Sequence, residues 1–338
     1  SGIASHLNSA DLRRCPRSHD TPGMTAQARL RTATRWALLL GIALALPWLS
    51  ACRPAAESAS VDAAGLRNAA AERPVDAIHV LRDRLLARDG AGFARVALPP
   101  GLHAQVEAAW RSGRSTWPLQ ELPLDGDIPR MLTALQEPDA AKGLMTSFRS
   151  QFAGADGDID QAVRTLVVFG RGYLQKDPDY SEEQRKHIDQ AMLALGDWAL
   201  SAPLSDPVRA QHLFSALAAT ATRTGVDGRR ANADFARLGM TASLGRLSRF
   251  YGTLLTQMRL QYGLDFDASL RSLHVSLAQQ TGDTARLRLD YVLAGRPITA
   301  IVPVVRIDGH WYLADYVDDA RRSLAGHSAA TPAAVRKS

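Results

Sequence analysis

Apolar residues recur every three or four positions over most of the chain and every second position over a short stretch near its end. That change of period predicts a mainly helical protein with a C-terminal sheet. From Pro74, residues Val75, Ile78, Leu81 and Leu85 share one helical face until Asp89-Gly90 offers a stop. Leu102, Val106 and Trp110 predict a second helix after Pro99-Pro100. Further stripes run from Ile128 to Leu135, then through Ala141, Leu144, Met145, Phe148 and Phe152, then through Ile159, Ala162, Val163, Leu166 and Val167. Ser181 with Gln184 reads as a capping box opening a helix with Ile188, Met192, Leu195 and Trp198 inward, while Asp206-Pro207 opens another that ends by Gly225. Phe235, Leu238, Leu244, Leu247, Tyr251, Leu254 and Met258 carry the pattern on to Tyr262.

Beyond Leu264 the period becomes two. Leu273, Val275 and Leu277 alternate, Thr281-Gly282-Asp283 turns, and Ala285, Leu287, Leu289 and Tyr291 alternate with Arg286, Arg288 and Asp290. Gly295-Arg296-Pro297 turns into a third strand, and Asp308-Gly309, a strong hairpin signal, joins it to a fourth that reads HWYLADYV. The expected class is α+β, with a helical region over 73–262, a four-stranded antiparallel meander over 263–319 packed on the preceding helix, and a polar, disordered tail over 320–338. Whether helices and strands make one domain or two stays open at this level.

The N-terminal part follows a different logic. From Met24 a basic stretch with Arg29, Arg31 and Arg35 precedes an apolar run from Trp36 to Leu46 and then small residues, the layout of a signal peptide over 24–51. The apolar run is short of the roughly 20 residues a spanning helix needs. Residues 1–23 fit no part of a signal peptide, so Met24 is the expected start, and the Ala-rich stretch 52–72 is the expected flexible tether to the folded part. Six arginines against Asp11 and Asp20 place +4 of the total net charge of +6 within residues 1–51. The remainder is close to neutral, so the composition does not point to nucleic acid. Only two cysteines occur, Cys15 and Cys52, one on each side of the expected cleavage point, which argues against a disulfide.

Leu49-Ser50-Ala51-Cys52 resembles the lipobox of bacterial lipoproteins. The resemblance implies recognition of Leu49, Ser50 and Ala51 by the lipoprotein signal peptidase, cleavage before Cys52, and lipid on that cysteine. Arg53 follows where the resemblance would expect aspartate in a protein kept at the inner membrane, so it implies the periplasmic face of the outer membrane. A second, partial resemblance covers 244–317, where a long helix feeds a meander containing GDTARLRLDY and ending in DGHWYLADY. This arrangement is similar to the closing part of NTF2-like, cystatin-like domains. It implies that the helices of 75–112 open the same domain and 128–225 form an insertion, and it carries no catalytic residue.

Catalytic and metal chemistry leave few traces. His103 and Glu107 stand four apart on one helical face without a third ligand nearby, and are expected to be an exposed pair. Asp156, Asp158 and Asp160 begin like a calcium loop, but Gln161 and Val167 stand where glycine and glutamate are required, so an acid-rich helix start is expected. No cofactor is implied, and a hydrolase would have to assemble its site from distant residues such as His103, His187 and His212. The segment from Trp110 to Leu119 sets Arg111 and Arg114 between Trp110 and Trp117, residue types common both at binding hot spots and in loops pinned to a core. On the last strand His310, Tyr312 and Tyr316 are expected to face away from Trp311 and Leu313 and to offer a binding surface. The expected function is a membrane-anchored, non-enzymatic envelope lipoprotein that binds a protein or envelope partner; the alternatives are a carrier of a small apolar ligand and an envelope hydrolase.

Overall fold

The computed structural model describes residues 71–119, 128–178 and 180–325. The residues expected to form the leader and the lipid site, including Leu49, Ser50, Ala51 and Cys52, lie outside them, as do residues 326–338. The class is α+β: eleven described helices and one four-stranded antiparallel sheet in the order β1-β2-β3-β4.

The helices are α1 (Asp76–Leu86), α2 (Gly90–Val96), α3 (Pro100–Arg111), α4 (Ile128–Gln136), α5 (Ala140–Gln151), α6 (Asp156–Lys176), α7 (Glu182–Ser201), α8 (Pro207–Ala221) and α9 (Ala231–Tyr262). The short α10 (Phe266–Arg271) leads into β1 (His274–Thr281), β2 (Thr284–Leu293), β3 (Arg296–Ile307) and β4 (His310–Leu313), and α11 (Ala314–Ala325) closes the described chain. Helix starts follow side-chain chemistry. Asp89 accepts from the Gly92 amide at α2, Asp206 from the Val208 and Arg209 amides at α8, and Asp265 from the Ala268 amide at α10, each filling donors that a helix start leaves without partners. At α7 Ser181 and Gln184 form the reciprocal capping box.

Alternation fixes the sheet. Ala285, Leu287, Leu289, Tyr291 and Leu293 of β2 are buried, and Leu287 lies opposite Val302 while Leu289 lies opposite Ala300, so both strands turn one apolar face inward. Ala285, Leu287, Leu289, Ala300 and Val302 of that face share the main cluster with Ile78, Leu81 and Leu85 of α1, Phe93 of α2, Trp110 of α3 and Leu247 and Phe250 of α9, while Tyr291, Leu293 and Ile298 pack with Ala191 and Ala194 of α7, so helices and strands share their cores. Each such aliphatic side chain removed from water stabilises by about 1.5–3 kcal/mol.

Five expectations need correction. The strand after Asp308-Gly309 ends at Leu313, and residues 314–325 are helical; within this stretch Tyr316, Val317, Ala320 and Ser323 recur at helical spacing and are buried, so the tail expected from residue 320 is folded to 325. The meander does not begin at 263, because Asp265 caps α10 before β1 starts. The β2–β3 turn is Ala294-Gly295, both at positive φ, and Arg296 and Pro297 already belong to β3. In β1 the pairing shifts between Leu277 and Gln279, a bulge that ends the alternation, and Leu277 is exposed although it lies opposite buried Leu287. The tether's last residues are not free, since the Trp311 amide donates to the Ala71 carbonyl at 2.8 Å and Ala71 is buried.

One edge of the sheet is handled unusually. β4 pairs only with Val304–Ile307, which leaves the rest of β3 without a strand beside it. Helix α7 lies there instead. Gln190 donates to the Thr299 carbonyl and accepts from the Thr299 amide, both at 3.0 Å, replacing the missing ladder bonds. Seven residues to either side, Glu183 pairs with Arg286, which lies opposite Pro303, and Asp197 pairs with Arg296. Helix α7 thus runs antiparallel along β3 and covers an edge that would otherwise recruit another chain.

Candidate functional site

The loop after α3 is pinned inward. Trp110 and Trp117 are each 1% exposed, so neither can serve as a contact surface as the hot-spot reading required. Trp110 Nε1 donates to the Trp117 carbonyl at 2.7 Å, and its ring meets Phe235 edge-on. Trp117 meets Tyr316 edge-on, while buried Ser115 accepts from the Trp117 amide and donates to Ser323 on α11. Arg111 and Arg114 remain exposed, with Arg114 Nε donating to Ser112 Oγ at 2.9 Å. Trp110→Phe leaves the Trp117 carbonyl buried and unpaired, a loss of about 1–3 kcal/mol expected in urea unfolding.

Binding at the last strand also meets a burial problem. Trp311, Tyr312 and Leu313 all belong to the main core, so both faces of β4 are covered, and Tyr316 lies on α11. Burial raises the Tyr312 phenol above its usual range. Only His310 of the expected set is partly accessible, with Nδ1 3.0 Å from the Asp308 carbonyl.

A polar cluster sits where α3 crosses α9. Helix α9 is broken at Gly239 (φ 79, ψ 176). Glu107 accepts from the Thr241 amide at 3.0 Å and from Thr241 Oγ1 at 3.1 Å, at the start of the second half. Arg111 donates to the Arg237 and Leu238 carbonyls at 3.2 Å, at the end of the first half. A carboxylate at a helix start and a guanidinium at a helix end both suit the dipole. His103 completes the face, its Nε2 3.1 Å from Thr241 Oγ1.

His103 and Glu107 are therefore not an exposed pair; they cap a kink. A carboxylate only accepts, so Thr241 gives its hydroxyl proton to Glu107, and His103 must donate to the hydroxyl oxygen. That polarity is the reverse of what a base activating a nucleophile requires. Burial lowers the His103 pKa, partly offset by Glu107.

The other histidines have separate surroundings. His187 on α7 is buried, with Nε2 2.9 Å from the Tyr291 hydroxyl and Nδ1 without a hydrogen-bond partner among the described residues; burial depresses its pKa to about 4. His212 is exposed on α8. No group of three His, Cys, Asp or Glu side chains suited to a metal occurs among the described residues. Asp156, Asp158 and Asp160 lie in the first turns of α6.

Two open clefts lie at the rims of the sheet. One of about 480 Å³ is lined by Arg286 and Asp318, and one of about 640 Å³ by Trp198, Tyr262 and Arg296. Arg286, Arg296 and Asp318 are already paired, with Glu183, Asp197 and Arg321.

Among the described residues, several exposed apolar side chains gather on α6. Among the described elements, α6 has α7 as its only extensive neighbour. The two helices approach closely: a methyl on Gly196 would stand 2.7 Å from Val167 Cγ2, and one on Gly170 would stand 3.0 Å from Met192 Sδ. Outside that contact Val168, 68% exposed, stands apart, while Leu166 is 71% exposed and Phe169 73%, with Ala162 exposed and Tyr173 partly so, at spacings of four, three and four. These residues share one stripe. A sequence signal exists for it, since the run AVRTLVVF over 162–169 holds six apolar residues in eight, more than one helix neighbour can cover. The chain matches no protein-family model, no curated protein and no solved structure, so its function must be read from these residues.

Proposed function

We propose that the chain is a lipid-anchored protein of the bacterial cell envelope, held through Cys52 at the periplasmic face of the outer membrane, whose domain acts by binding a protein partner on the outer face of α6. The exposed stripe of Leu166 and Phe169 carries the binding part of this reading, because isolated apolar residues are ordinary at a surface whereas a contiguous helical face of them marks a contact site. The Leu49-Ser50-Ala51-Cys52 motif after a short apolar run supports the anchor. No described helix is long and apolar enough to cross a membrane. The ligand-carrier alternative has less support: between sheet and helices stand Leu287, Leu289, Ala300 and Val302, all in the common core.

Two measurements test the reading. Cys52→Ala is expected to abolish incorporation of labelled palmitate and to release the chain from membranes; labelling that persists defeats the anchor. Leu166→Glu is expected to remove a discrete crosslinked product formed by the wild-type chain in native membranes. A product pattern indifferent to Leu166 defeats the docking face.

A further inference from the structure

We infer that the partner on this face is a second copy of the chain, with α6 packing antiparallel against α6 of the copy about a two-fold axis level with Val167. The inference rests on the docking reading above and names its occupant.

Helix α6 runs from Asp156 to Lys176, and Leu166 is its midpoint. At 1.5 Å per residue the helix is about 30 Å long, and a two-fold axis one residue beyond that midpoint, level with Val167, sets each residue against one equally far on the other side of Val167. Ala162, Leu166, Phe169 and Tyr173 then form a continuous seam at the four-three spacing that helix pairs use, with the small Ala162 beside the larger Tyr173 of the copy.

Charge selects the orientation. At about 100° per residue, Asp158 and Lys176 fall on the same flank of the stripe. A two-fold axis perpendicular to both helices keeps matching flanks together, so Asp158 of each copy meets Lys176 of the other, twice per dimer. Both side chains are exposed, and neither takes part in an ion pair among the described residues. The other cations of the helix are engaged, Arg164 with Asp160 and Arg171 with Asp189. A parallel two-fold pairing brings opposite flanks together and leaves this Asp158–Lys176 pair unformed.

The same charges disfavour a lipid surface as occupant. Helices that lie on anionic membranes carry Lys and Arg beside their apolar face, whereas this stripe begins beside Asp158 in a turn that also holds Asp156 and Asp160. A single helix face is a small interface, and tethering two copies to one membrane raises their effective concentration, so the pairing belongs to the anchored form.

The test uses the full chain in its native membrane. Leu166→Cys, one residue from the axis, is expected to give a disulfide-linked dimer on mild oxidation, while Gln175→Cys on the opposite side of the helix gives no more than the parent chain. In the Leu166→Cys background, Asp158→Lys and Lys176→Asp each lower the dimer yield several-fold, and the double exchange restores it. Equal crosslinking from Leu166→Cys and Gln175→Cys, or no rescue by the double exchange, overturns the inference. A product with another protein that depends on Leu166, without the dimer, overturns the second copy while leaving the docking face standing. Loss of every Leu166-dependent product removes both. Leu166-dependent binding of the Cys52→Ala chain to anionic phospholipid vesicles, with no dimer, assigns the face to lipid and overturns the inference as well.

Discussion

Gly239→Ala is expected to lower the free energy of unfolding by at least about 3 kcal/mol, since φ 79 with ψ 176 is a region essentially reserved for glycine and entering it with a side chain costs about 1–3 kcal/mol. The added methyl would also stand 1.9 Å from Glu107 Oε1 and 3.1 Å from Arg111 Nη2. Glu107 would have to leave, and with it the bonds to the Thr241 amide and hydroxyl; hydrogen bonds to a charged group are worth about 1.5–3 kcal/mol each. Urea unfolding measures the loss directly. Glu107→Ala alone is expected to cost about 1–2 kcal/mol, as for a removed helix cap. Made in the Gly239→Ala background it should cost much less, because its contacts are already gone, and this non-additivity separates the capping account from general damage. A Gly239→Ala loss below 1 kcal/mol, or full additivity with Glu107→Ala, would sink it.

The sheet is legible in the sequence because its signals are local. Alternation from Ala285 to Leu293 sets the buried face, and the Asp308-Gly309 turn sets the β3–β4 register, since both turn residues have positive φ. Signals that depend on distant partners are not legible. Nothing near Gly239 announces that Glu107 and Arg111 will cap the broken ends of α9, so the stripe from Phe235 to Met258 reads as one helix. The motif HWYLADYV alternates well enough to pass for a long strand, and only the burial of Tyr316, Val317 and Ala320 shows the helical period that takes over at Ala314.

The candidate sites divide the same way. Trp110 and Trp117 look alike in a sequence whether they anchor a loop or a partner, and the difference lies in Phe235, Tyr316 and Ser323, which arrive from far along the chain to bury them. The α6 face was open to a sequence reading, because its apolar arc exceeds what one neighbour can cover. What the residues could not reveal is that α7 would be spent on the β3 edge through Glu183, Gln190 and Asp197, leaving α6 as an outer layer with one side bare.

Acid is expected to destabilise the fold through His187 before the carboxylates respond. Burial depresses the His187 pKa from 6.5 to about 4, while the unfolded chain keeps the ordinary value. Between those two pH values the unfolded state binds more protons than the folded one, so stability falls as the pH drops through 6.5 and the loss levels off below 4. At about 1.4 kcal/mol per pH unit the loss attributable to His187 reaches about 3 kcal/mol at pH 4. Burial also lowers the pKa of His103 and His79, so their contributions have the same sign. Asp76, Glu183, Asp234 and Asp290 have pKa values below the ordinary carboxylate range, so the stability tied to them is lost only at the acid end of this window and beyond. Replacing the imidazole isolates its part. His187→Gln lowers stability at neutral pH by removing the Tyr291 contact, but it also removes the titration, so its stability should fall by about 3 kcal/mol less than that of the wild type between pH 7 and pH 4. Parallel pH profiles for the two proteins, measured by urea unfolding, would mean that His187 takes up its proton in the fold as easily as in water.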